Sequence, residues 1–112
     1  MLHLYAQAPE LFLVNGQAIS EGTDVWAYGC VLVELFANAI PWQSLDDVAI
    51  GKRVTSRDEK QYVPPEVDRI LSLPMRQLVR RCLTRDANAR PSFDDILAEL
   101  DRIGAAVMAK KK

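Results

Sequence analysis

From residue 25 to residue 37 the sequence reads Val-Trp-Ala-Tyr-Gly-Cys-Val-Leu-Val-Glu-Leu-Phe-Ala, with Glu34 its one charge. The run is too short to span a bilayer, which takes about 20 residues. It reads instead as a helix inside a protein, from about Thr23 to Asn38, capped by Thr23 or Ser20. On such a helix Val25, Trp26, Tyr28, Cys30, Val31, Leu32, Leu35 and Phe36 point in every direction. A helix that is apolar all round has to be covered all round. In 112 residues the other segments can cover only part of it, so the sequence predicts an uncovered side whose lid lies elsewhere.

The rest of the chain is cut by Pro, Gly and Ser or Thr caps into short helices. No stretch alternates in the manner of a strand, so the expected fold class is all-α. Pro9 to Val14 starts with Pro at a first helical position and Glu10 in the first turn, and Asn15-Gly16 ends it. A third helix is expected from Ser44 to Val54, with Ser44 as cap and Asp47 completing a capping box. Residues 55–62 read as a loop, and Pro64-Pro65 opens a short turn or helix through Glu66 to Leu71. Met75 to Leu83 is amphipathic. Ser92 caps a last helix to about Met108, with Ile96, Leu97, Leu100, Ile103 and Val107 as its core stripe.

Composition removes several function classes. The net charge is −1, against the basic excess of a nucleic-acid footprint, and Lys110, Lys111 and Lys112 read as a solvated tail. Cys30 and Cys82 lack zinc-ligand spacing and read as free buried thiols, which suits a reducing compartment. No signal peptide and no membrane span is visible, so a cytoplasmic protein is expected.

Three motifs in fixed order carry the identity. They are Ala8-Pro9-Glu10; Asp24-Val25-Trp26-Ala27-Tyr28-Gly29 with Pro41-Trp42 following; and Cys82 through Asn88 to Arg90-Pro91-Ser92-Phe93. Each alone is weak. Together they resemble the protein kinases from the end of the activation segment onward, over about residues 5–103. Arg81-Cys82-Leu83, Arg90 to Leu97 and Pro41-Trp42 are most similar to the tyrosine-kinase-like group of serine/threonine kinases. The fold implied is the helical C-terminal subdomain of the kinase domain, with residues 1–103 a partial domain and 104–112 a tail.

The resemblance assigns roles. Glu10 is implied to pair with Arg90, a bidentate bond tying the activation segment to the base of the lobe; the plainer reading is two unrelated surface charges. Asp24 is implied to anchor the catalytic loop by accepting backbone N–H groups, or is simply a first-turn acid favoured by the helix dipole. Trp26, Tyr28, Trp42 and Phe93 are read as core aromatics. Gly29 inside a helix costs about 1 kcal/mol against Ala, which predicts close packing there. His3 reads as a surface residue. His3 and Tyr5 depart from the family's substrate-facing pattern, and Ala87 stands where the family has Pro.

Phosphoryl transfer requires a glycine-rich cover, a lysine on the phosphates, magnesium held by Asp and Asn, and a catalytic aspartate. These 112 residues contain no G-x-G-x-x-G, no His-Arg-Asp and no Asp-Phe-Gly. No catalytic, cofactor-binding or metal-binding residue is therefore assigned, and ATP and magnesium are expected only in a complete parent kinase. The expected partners are the missing N-terminal half of the domain and a protein substrate or regulator. Three readings stay open: part of a serine/threonine kinase inactive by itself, a helical interaction module, and a pseudokinase scaffold.

Overall fold

A computed structural model describes residues 8, 9 and 20–110, the side chains of Gln61, Ala109 and Lys110 excepted. The helix expected from Pro9 to Val14, with Glu10, lies outside the described residues apart from Pro9.

Ser20 opens the first long helix, α1 (Glu21–Ala37). It is extended, and its N–H donates to Thr23 Oγ1 at 3.4 Å. Asn38 closes the helix in the left-handed region, φ 52°, a conformation Asn tolerates better than most residues. Val25, Trp26, Cys30 and Val33 are fully buried along one side, where α4 (Leu73–Cys82) and a 3₁₀ turn (Pro65–Arg69) pack against α1. On the other side Val31, Leu35 and Phe36 are exposed, Leu35 by 69%. The uncovered side that the sequence demanded is there.

After α1 the structure departs from expectation. Residues 41–44 form a turn in which Leu45 N–H donates to Trp42 O at 2.9 Å, so Ser44 does not start a helix. Helix α2 runs over Asp47–Val54, and Asp46 caps it by accepting from Ala49 N–H at 2.9 Å. A carboxylate in that place also meets the positive helix end. The loop expected at 55–62 contains a one-turn helix, α3 (Glu59–Tyr62), with Asp58 accepting from Lys60 N–H at 3.1 Å.

Ser72 caps α4 through Met75 N–H at 3.3 Å, and Met75, Leu78, Val79 and Cys82 are buried. A second 3₁₀ turn (Ala87–Ala89) follows, then α5 (Phe93–Lys110). Ser92 Oγ accepts from Asp95 N–H at 3.1 Å, as a capping residue should. Of the expected stripe on α5, Ile96 is buried and Leu100 and Ile103 are packed against the core, but Leu97 and Val107 are exposed. The helix leaves the body of the protein before its apolar pattern ends. Phe93 meets Tyr28 of α1 edge-on, centroids 5.8 Å apart. There is no strand among the described residues; the fold is all-α.

Candidate functional site

Among the described residues the side chain of Arg90, between the second 3₁₀ turn and α5, is densely bonded. It is 7% exposed. Its Nε donates to Thr84 O at 2.7 Å, Nη1 to Gly22 O at 2.8 Å and Nη2 to Arg85 O at 3.1 Å. The guanidinium also lies 5.0 Å from the centroid of the Trp26 ring. A planar fork of fixed donors suits three convergent carbonyls and an aromatic face, where an ammonium would not. Arg90 thus fastens the loop before α5 to the first turn of α1. Its implied partner Glu10 lies outside the described residues.

Gly22 makes this junction possible. A Cβ there would stand 2.7 Å from Ala87 O, a distance no real side chain occupies. Gly29, two turns further along the same face, is held as tightly: its Cβ would meet Cys82 Cβ at 2.9 Å and Leu83 Cδ2 at 3.0 Å. Asp24 lies exposed in the first turn of α1.

A second junction escaped the sequence reading. Glu66, 8% exposed, accepts the N–H of Trp42 on its Oε1 at 2.9 Å. Trp42 is 4% exposed and has φ 60°, a left-handed backbone that a bulky residue adopts only under constraint. The bond from Glu66 supplies that constraint. The only local sign was an acid set between Pro65 and Val67, in otherwise apolar surroundings.

Cys30 and Cys82 are buried and unbridged. Burial pushes the Cys30 thiol far above its ordinary range, with Glu34 adding to the shift. Burial likewise pushes Cys82 up to about 11. Neither is a nucleophile at neutral pH.

Among the described residues no group of three or more His, Cys, Asp or Glu could hold a metal. A groove of about 590 Å³ is lined by Asp58, Glu59 and Asp68 against Lys60 and Arg80. Arg80 is already engaged, at 2.6 Å to Asp68 and 3.6 Å to Glu59. That charge pattern repels a triphosphate. Among the described residues no helix is long and apolar enough to cross a membrane.

Comparison with known proteins agrees with the geometry. A family model described as protein kinase domain matches residues 4–100. The chain is 30% identical over 95 residues to the dual specificity protein kinase pyk3 of Dictyostelium discoideum, covering 85% of this chain and 7% of that protein. It is 30% identical over 101 residues to human mitogen-activated protein kinase kinase kinase 11, covering 90% of this chain and 11% of the relative. To rat mitogen-activated protein kinase kinase kinase 12 it is 34% identical over 102 residues, again 91% of this chain and 11% of the other. The chain therefore spans a small part of each of these relatives.

Proposed function

This chain belongs to the protein kinase domain family, and from that premise we propose that it forms the base of the large lobe of a serine/threonine kinase. The whole protein transfers phosphate from ATP to protein hydroxyls; these residues supply the platform on which the catalytic loop and activation segment rest. The observation that carries this is the Arg90 junction, which fixes the first turn of α1 to the loop before α5. Asp24 sits on that fixed turn, with its carboxylate exposed to receive the backbone N–H groups of a catalytic loop. Glu10 pairs with Arg90 in this reading. A cytoplasmic location goes with it, supported by two unbridged thiols.

By itself the chain does not catalyse, since the parts that hold ATP and magnesium are not among its residues. The test uses the purified 112-residue chain with a fluorescent ATP analogue and, separately, radiolabelled ATP and magnesium. No saturable binding and no autophosphorylation is expected; either one overturns the inactivity. In-frame His-Arg-Asp and Asp-Phe-Gly codons upstream in the gene would support the kinase reading, and a stop codon there would sink it.

The exposed apolar side of α1 favours a second reading, a helical interaction module. Size-exclusion separates the two. A stable monodisperse species favours the module, and concentration-dependent aggregation favours a platform deprived of its cover.

A further inference from the structure

Helix α5 (Phe93–Lys110) leaves the body of the protein with its apolar pattern unfinished. Leu97 is 58% exposed, Val107 48% and Met108 61%. Leu97, Gly104 and Met108 are spaced by two turns and then one, so they line a single face of the helix. A Cβ at Gly104 would meet nothing within 4 Å, which leaves that face open along its length. Leu100 and Val107 stand beside it, and with Leu97 and Gly104 they complete the spacing of a helix-pairing seam. We propose that this face binds the same face of a second copy of the chain, the two α5 helices running antiparallel.

Charge is what selects a second copy. Residues 94–101 carry Asp94, Asp95, Glu99 and Asp101 and no base, while residues 102–112 carry Arg102, Lys110, Lys111 and Lys112 and no acid. Glu99 and Arg102 pair within the helix. The other acids are exposed, and the two ends of one helix, about 24 Å apart, cannot neutralise each other. An antiparallel partner brings them together. With Leu97 of each copy over Met108 of the other, the acidic start of each helix lies beside the basic end of its neighbour, twice over by symmetry. Asp101 then stands against Gly104 of the other copy, where the missing side chain leaves it room. A parallel pair would set acid on acid. A bilayer surface is a poor occupant, because Asp101 interrupts the apolar line. Pairing also covers residues 104–108, which are exposed on every side and too few to hold a helix unaided. One helix face is a small interface, so the dimer is weak, with a Kd on the order of 100 μM. The inference uses α5 alone and is independent of the kinase reading.

The experiment is sedimentation velocity on the full chain over roughly 5 to 500 μM, with circular dichroism to check that each variant folds. A monomer–dimer equilibrium without larger species is expected. Leu97→Gln, at an exposed position, should weaken the dimer about tenfold, since it acts at both ends of the seam. Lys110→Glu with Lys111→Glu should weaken it about fivefold, and so should Asp94→Lys with Asp95→Lys. All four changes in one chain restore opposite charges between antiparallel helices and should return the wild-type Kd; a parallel pair gains nothing from them. If the chain with Asp94→Lys and Asp95→Lys does not fold, Leu97→Gln and the lysine variant decide the matter. Leu35→Gln, on the exposed side of α1, should leave the dimer unchanged. A chain that stays monomeric at the highest concentration overturns the proposal. So does association that survives Leu97→Gln or the lysine variant undiminished, or that Leu35→Gln abolishes.

Discussion

The guanidinium of Arg90 faces the Trp26 ring at 5.0 Å while its nitrogens hold the carbonyls of Thr84, Gly22 and Arg85. Lysine in this place keeps the charge and loses the fork. Arg90→Lys should destabilise the chain by about 2 kcal/mol and Arg90→Ala by about 4 kcal/mol, as buried carbonyls lose their donors. Urea unfolding followed by circular dichroism measures both. Two variants as stable as the wild type would remove Arg90 from the centre of the fold.

At the second junction the acceptor matters more than the charge. Glu66→Gln retains an oxygen for the Trp42 N–H and should lose under about 1 kcal/mol, whereas Glu66→Ala strands that N–H and should lose about 2 kcal/mol. Tryptophan fluorescence during unfolding reads the difference. Equal losses in the two variants would mean that the bond contributes nothing.

Two helical glycines should respond in opposite directions to the same substitution. Gly29→Ala drives a methyl group against Cys82 and Leu83, and overpacking of about 2 kcal/mol outweighs the gain of about 1 kcal/mol in helix propensity. Gly104 has nothing within 4 Å of its would-be Cβ, so Gly104→Ala should stabilise by about 0.5–1 kcal/mol. Thermal unfolding of the pair is the check, and a stabilised Gly29→Ala would contradict the close approach.

Cys82 gives a pH dependence whose sign can be worked out. Its thiol ionises near the ordinary 9.0 when unfolded and at about 11 when buried in the fold. Below pH 9 both states are protonated and its contribution to stability is intact. As pH rises toward 11 the unfolded chain releases the proton first, so that contribution is lost. The stability advantage of the wild type over Cys82→Ala should shrink by about 2 kcal/mol across that window. A gap that stays constant with pH would show that the thiol ionises alike in both states.

How much of this was legible depends on how local each cause is. Helix α1 was readable because its apolar run, its Ser20 start and its Asn38 end are all contained in the segment. The start of α5 was readable for the same reason, through Ser92 and Asp95. The start of α2 was not. Ser44 and Asp46 are both competent caps, and the turn at Trp42, set by Glu66 from 24 residues away, decides between them. Helix α3 is too short for any period to show. On α5 the stripe from Ile96 to Val107 was visible, but periodicity cannot say where a helix outruns its neighbours. At the candidate site, Arg90 and Asp24 were named through family resemblance. The carbonyls that receive Arg90 are backbone atoms, and no side-chain pattern announces them.

Helix α5 itself joins two regimes. Up to Ile103 it is fastened by core contacts. From Gly104 to Met108 it is exposed on all sides and held by its own backbone bonds, which are marginal for so short a length. Its amides therefore belong to two opening events. Those near Ile96 exchange with solvent hydrogen only when the whole fold opens, and those beyond Gly104 exchange by fraying, many orders of magnitude faster. Hydrogen exchange along this one helix would map where the cooperative unit of the protein stops.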